Sequence, residues 1–90
     1  MLIEKLKGMR VCLDSPTRVE QLGFGENQVS ATIGTKGGPV CAPLLKYSVL
    51  SDDSLVIDKD KFNIEWKNIR VGEEYISVVR NDVECKYKIY

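Results

Sequence analysis

The stretch YISVVRNDVECKYKIY, residues 75–90, decides the fold of this chain. In its second half, apolar and charged residues alternate strictly, which is the pattern of a β-strand with one buried face. The apolar positions are Val83, Cys85, Tyr87 and Ile89. Asn81 and Asp82 separate this strand from the apolar run 75–80, and both residues tolerate the positive φ of a two-residue turn. The stretch therefore predicts a β-hairpin.

A two-residue turn also fixes the register of this hairpin. It predicts the pairs Arg80–Val83, Val78–Cys85 and Ile76–Tyr87. In this register the large aliphatic residues other than Val79 share one face, and Tyr75, Ser77 and Val79 join Glu84, Lys86 and Lys88 on the other. Because the turn chemistry and the hydrophobic pattern agree, the hairpin is the firmest structural prediction from the sequence.

Two segments upstream show the same alternation of apolar positions. In residues 44–59, one apolar face runs through Leu45, Tyr47 and Val49 and a second through Leu55 and Ile57. The two faces coincide if an odd-length loop containing Asp52 and Asp53 joins them, as in a bulged hairpin. In residues 62–71 the inward positions are Phe62, Ile64 and Trp66, and then Ile69 and Val71. This change of parity predicts a bulge or tight turn at Lys67-Asn68, and Gly72-Glu73-Glu74 predicts the next turn.

Seven or eight short strands follow one another along the chain. Val29, Ala31 and Ile33 alternate in a further strand, and weaker candidates lie on either side of Ser15-Pro16. The expected fold is an all-β, mainly antiparallel meander that forms a small barrel or a flattened sandwich. Residues 2–7 predict a short helix that ends at Gly8 and plugs one end. Residues 1–90 are expected to form a single β domain.

The run of short meandering strands resembles small lipocalin-like and other up-and-down barrels. The resemblance lies in the pattern of strands and not in a motif, so it assigns no role to any residue.

Composition excludes several classes of function. The chain has thirteen basic and thirteen acidic residues and no histidine. A nucleic-acid partner is not expected, because proteins that bind nucleic acids normally carry a surplus of positive charge. The absence of histidine removes Ser-His and Cys-His nucleophilic catalysis and histidine metal ligation. We therefore expect a protein that is not an enzyme and needs no cofactor or metal.

Two further patterns bear on location. The segment MLIEKLKGMR, residues 1–10, lacks the apolar region and the cleavage site of a secretory signal. No stretch approaches the ~20 apolar residues of a membrane span. The three widely spaced cysteines do not form a disulfide framework. The expected location is therefore the cytoplasm.

The glycine-rich stretch GTKGGPVC, residues 34–41, invites comparison with a phosphate-binding loop. A P-loop places its lysine after the glycines and opens a helix. Here Lys36 precedes Gly37-Gly38, and Pro39 and Pro43 keep the following segment extended. The pattern predicts a connection between two strands, with Lys36 acting toward an anion only as a point charge.

Asp58 and Asp60 suggest a calcium loop, but the next ligand position and the glycine of an EF-hand are missing. The pattern favours a charged turn at a strand end. Among the cysteines, Cys85 is expected to be a small buried hydrophobe and Cys12 to point outward. Cys41, near Lys36, is the candidate for a reactive thiol.

Three hypotheses about function remain open. The first is a non-enzymatic protein that binds another macromolecule, a second protein or a second copy of itself. Its candidate contact residues are Tyr75, Val79, Lys86, Lys88 and Tyr90 on the outer hairpin face. An open edge strand or Val79 would support a homodimer, and edge charges would oppose it.

The second hypothesis is a lipocalin-like barrel that holds a small apolar ligand in an aromatic interior. The candidate lining residues are Tyr47, Phe62, Trp66 and Tyr87. The third hypothesis is a redox protein or enzyme that uses Cys41.

Overall fold

The computed structural model of the chain describes residues 2–59 and 62–90. A short helix, α1 (Leu2–Leu6), precedes the strands. The strands are β1 (Arg10–Leu13), β2 (Arg18–Phe24), β3 (Gln28–Thr35), β4 (Val40–Cys41), β5 (Leu44–Ser51), β6 (Ser54–Lys59), β7 (Phe62–Val71), β8 (Tyr75–Arg80) and β9 (Val83–Ile89).

Eight of these strands form a closed antiparallel barrel. Neighbours in sequence pair throughout, with β3 next to β5, and β1 closes the ring by pairing with β9. The short strand β4 pairs with β3 and lies outside the ring. The expected all-β meander is thus confirmed, and of the two forms predicted for it the barrel is the one observed.

The register of the β8–β9 hairpin is the one that the sequence predicts. Arg80 lies opposite Val83, Val78 opposite Cys85 and Ile76 opposite Tyr87. Asn81 and Asp82 form the turn with φ values of 47° and 68°. Two positive φ angles are the mark of the turn type whose twist matches that of paired strands.

Both predicted irregularities are bulges within paired strands. The pairing of β5 with β6 shifts between Val49 and Ser51, next to the turn at Asp52-Asp53. The pairing of β7 with β8 shifts between Lys67 and Arg70, where Asn68 has a φ of 52°. The extra residue in β7 reverses the parity, so both Trp66 and Ile69 point into the barrel.

The interior of the barrel is the hydrophobic core. Every strand of the ring contributes at least one buried apolar side chain. Leu6 of α1 is fully buried in the same cluster, which agrees with the prediction that the helix plugs one end. Along the interior, Tyr47, Phe24, Trp66 and Tyr87 follow one another, with ring centroids 5.3, 5.6 and 4.7 Å apart. Aromatic pairs at these spacings stabilise a core beyond the burial of their surface.

Candidate functional site

The outer face of the β8–β9 hairpin carries most of the predicted contact residues. The cross-strand pairs on this face are Tyr75–Lys88, Ser77–Lys86 and Val79–Glu84. Strand β7 extends the same face on the other side of β8, where Arg70 lies opposite Ser77 and Lys67 opposite Val79. The barrel wall thus aligns Arg70, Ser77 and Lys86 in one row across three strands.

Tyr75 and Lys86 contact each other on this face. The Lys86 ammonium lies 5.7 Å from the centroid of the Tyr75 ring, within the range of a cation–π interaction. Tyr75 nevertheless remains 39% exposed. An exposed aromatic ring beside a cation is a typical element of a protein-binding surface.

Two open clefts meet at this row. One has a volume of about 610 Å³ and the other about 550 Å³, and both are lined by Arg70, Ser77 and Lys86. The first continues to Val79 and to Asn68 at the β7 bulge, and the second continues to Tyr75. The bulge shapes the outer face as well as the core.

Basic and acidic residues occupy different parts of this face. In the described part of the chain, the ion pairs within 4.0 Å involve Lys7, Lys67 and Arg80, so Arg70, Lys86 and Lys88 have no carboxylate partner there. The acidic residues that line the two clefts are Asp53, Glu73, Glu74 and Glu84. The result is a basic centre with acidic borders.

Tyr90 occupies a different position from the other predicted contact residues. It follows β9, donates its backbone N–H to the carbonyl of Arg10, and is 62% exposed. It lines a separate cleft of about 590 Å³ that lies over Gly23. The five predicted contact residues therefore divide into one group of four and Tyr90.

The predicted ligand-lining residues are packed within the core. Tyr47, Trp66 and Tyr87 are 5%, 0% and 0% exposed, and the side chain of Phe62 lies outside the described residues. The Tyr47 hydroxyl donates to the carbonyl of Gly25 at 2.6 Å. One cleft reaches Trp66. Its volume of about 270 Å³ is below the roughly 300 Å³ at which ordinary ligand pockets begin. The small-ligand hypothesis stays a prediction.

A buried polar network crosses the interior at Glu20. The Glu20 carboxylate is fully buried and accepts two bonds from the Arg80 guanidinium, at 2.7 and 3.1 Å. It also accepts a hydrogen bond from the Tyr87 hydroxyl. The paired fork geometry and the third donor satisfy a carboxylate that would otherwise be costly to bury.

Burial and the charge of Glu20 together shift the pKa values of the groups around this carboxylate. Burial and the adjacent negative charge of Glu20 raise the pKa of Tyr87 far above its ordinary value. Burial by itself lowers the pKa of Arg80, but the hydrogen bond and charge of Glu20 together raise it. Burial also raises the pKa of the Cys85 thiol. The network therefore holds a protonated Tyr87 and a charged Arg80.

Sequence reasoning overlooked Glu20 and Arg80, although a signal was present. Glu20 shares the parity of Leu22 and Phe24 in β2, and Arg80 shares that of Val78 in β8. Opposite charges on inward positions of two strands indicate a buried ion pair. Arg70 was overlooked as well, because its place on the outer face depends on the β7 bulge.

The remaining candidates lie apart from the hairpin face. Lys36 is exposed in the turn after β3, where Gly37 has a φ of 76°, so the predicted connection between strands is confirmed. Cys41 is exposed. Cys12, predicted to point outward, and Cys85, predicted to be buried, are both half-buried. Among the described residues no cluster of potential metal ligands occurs, and Asp60 lies outside them.

No helix within residues 2–59 and 62–90 is long and apolar enough to cross a membrane. Comparison of the chain with protein-family models, with curated proteins and with solved structures found no match.

Proposed function

We propose that this protein is a non-enzymatic binding module that holds a partner protein against the outer face of the β8–β9 hairpin. The observation that carries the proposal is the row of Arg70, Ser77 and Lys86, which two clefts share and which Tyr75 borders. The row offers two cations and a hydroxyl, and Tyr75 and Val79 offer apolar contact beside them.

The charge on this face favours a partner that presents an acidic segment. Arg70, Lys86 and Lys88 lack carboxylate partners in the described part of the chain, so a partner's acidic side chains can pair with them. The bordering Glu73, Glu74 and Glu84 disfavour a long polyanion, because its phosphates would lie against carboxylates. An acidic peptide fits the face better than a nucleic acid does. We also propose a cytoplasmic location, since the three widely spaced cysteines do not form a disulfide framework.

A defined acidic probe tests the charge argument. We expect an acidic peptide containing one aromatic residue to shift the amide NMR signals of Arg70, Ser77 and Lys86, and to lose most of its effect at high salt. An oligonucleotide of equal charge should shift them less. Stronger binding of the oligonucleotide would overturn the protein hypothesis.

Binding of a purified partner protein to variants of the hairpin face tests whether this face is the binding surface. The variant Tyr75→Ala/Lys86→Ala/Lys88→Ala should weaken binding of a purified partner at least about tenfold, as the loss of interface anchors does. The matched control Lys5→Ala/Lys46→Ala/Leu50→Ala removes exposed residues elsewhere and should bind normally. Equal binding by the two variants would show that the partner uses another surface.

A further inference from the structure

The barrel closes on itself, but among the described residues no strand pairs with the edge of β4 that faces away from β3. In the described part of the chain, β4 pairs only with β3 and ends the strand order. Proteins usually protect such edges with charged side chains, because an open edge is a template for another strand. Residues 37–45 contain no charged side chain. The expectation that edge charges oppose a homodimer therefore does not hold at β4.

The register shows which backbone groups of this edge are free. Ile33 lies opposite Cys41, and the Ala31 N–H donates to the Pro43 carbonyl over 2.9 Å. Antiparallel pairs alternate between bonded and non-bonded, so Cys41 and Pro43 direct their backbone groups toward β3. Val40 and Ala42 then direct their N–H and C=O groups away from β3, to the open side.

The neighbouring prolines leave these groups accessible. Pro39 and Pro43 share the parity of Cys41, so the N–H groups that they lack belong to the side facing β3. Proline on an edge usually blocks pairing, and here it does not. Apolar surface accompanies the free groups, since Val40 is 53% and Leu44 62% exposed.

We propose that two copies of this chain pair antiparallel through the β4 edge, about a two-fold axis at Cys41. The segment PVCAP, residues 39–43, reads nearly the same in both directions, which suits a contact between identical surfaces. Val40 of each copy lies opposite the partner's Ala42, and the free groups of both form four N–H···O=C bonds. Cys41 lies opposite the partner's Cys41.

The size of the contact sets its strength. Each copy contributes one short strand and two exposed aliphatic side chains, which is less than the about 800 Å² per partner of a standard interface. The dimer is therefore weak and depends on protein concentration. It places the two exposed Cys41 side chains at a non-bonded cross-strand pair, where Cα atoms are about 4.5 Å apart.

Hydrogen exchange of the reduced wild-type protein tests the pairing without any substitution. The amide protons of Val40 and Ala42 should exchange several-fold more slowly as the concentration rises from micromolar to millimolar. The amide proton of Cys41, already bonded to β3, should not change. The variant Ala42→Pro, which removes one free N–H, should abolish the effect at Val40. Exchange that is independent of concentration would overturn the proposal.

A scan of single cysteines tests the register. In the background Cys12→Ser/Cys85→Ser, oxidised glutathione converts two Cys41 thiols into one disulfide and is itself reduced to two thiols. Variants that also carry Cys41→Ser with Val40→Cys or Ala42→Cys place the thiol one residue away. The disulfide dimer should form at least tenfold more at position 41 than at 40 or 42. Equal yields at the three positions would exclude a fixed register.

This edge and the hairpin face are separate surfaces. Failure of the exchange and cysteine experiments leaves the proposed function intact, because that function rests on β7, β8 and β9.

Discussion

The two ends of the barrel interior are built on different principles. Along β2, Glu20 and Phe24 both point inward, about 13 Å apart at the rise of a strand. Around Phe24 the contacts are apolar, with Tyr47 and Trp66 against its ring. Around Glu20 three polar groups satisfy one another. We therefore expect packing at the first end to tolerate similar residues and the second end to depend on each of its partners.

Breaking the polar end should have the largest effect. Arg80→Met leaves the buried Glu20 carboxylate without its cation, so we expect a loss of about 3–5 kcal/mol in the free energy of unfolding. Urea denaturation measures this loss. The double variant Glu20→Leu/Arg80→Met removes both charges and should recover most of it. If the double variant is as unstable as Arg80→Met, the network is not the cause.

High pH should weaken the polar end. The pKa of Tyr87 in the folded protein lies above its ordinary value of 10.0, so the unfolded chain loses this proton first. Stability is then full below pH 10 and falls above it, by up to about 1.4 kcal/mol per pH unit from this residue. Urea denaturation between pH 8 and 11 measures the slope. Tyr87→Phe should make the slope shallower, and an unchanged slope would assign it to other groups.

A change of shape at the apolar end should cost less. Phe24→Leu keeps the site apolar and loses two edge-to-face ring contacts, at 5.3 and 5.6 Å. We expect a loss of about 1–1.5 kcal/mol, measured by the same denaturation. A loss as large as that of Arg80→Met would show that both ends depend equally on individual partners.

The smallest effect should follow from the loss of the Tyr47 hydroxyl, which donates to two backbone carbonyls at the apolar end. Tyr47→Phe removes the hydroxyl that donates to the carbonyl of Gly25 at 2.6 Å. We expect a loss of about 1 kcal/mol in thermal or urea unfolding. Phe24 should keep its contact with the remaining ring, which a near-ultraviolet circular dichroism spectrum would report. Loss of the spectrum would mean that the hydroxyl positions the ring.

The sequence predicts contacts between neighbouring residues better than contacts between distant ones. Alternation and turn chemistry act between neighbours, so the hairpin, its register and the bulge at Asn68 were all predictable. Glu20 and Arg80 lie 60 residues apart, and only closure of the ring brings them together. The outer hairpin face followed from alternation alone. The row through Arg70 did not, because it requires the pairing of three strands.

Asn68 is the residue that interrupts the alternation of β7. Without it, Lys67 and Arg70 would be separated by Ile69 alone, and β7 would alternate without interruption from Ile64 to Val71. The pairs Lys67–Val79 and Arg70–Ser77 would then belong to one continuous register. Deletion of Asn68 would thus keep the apolar residues of β7 in phase and would remove one lining residue of the outer cleft, together with the bend that a bulge gives a strand. A single bulged residue thus belongs both to the strand pairing of the barrel wall and to the lining of the outer cleft.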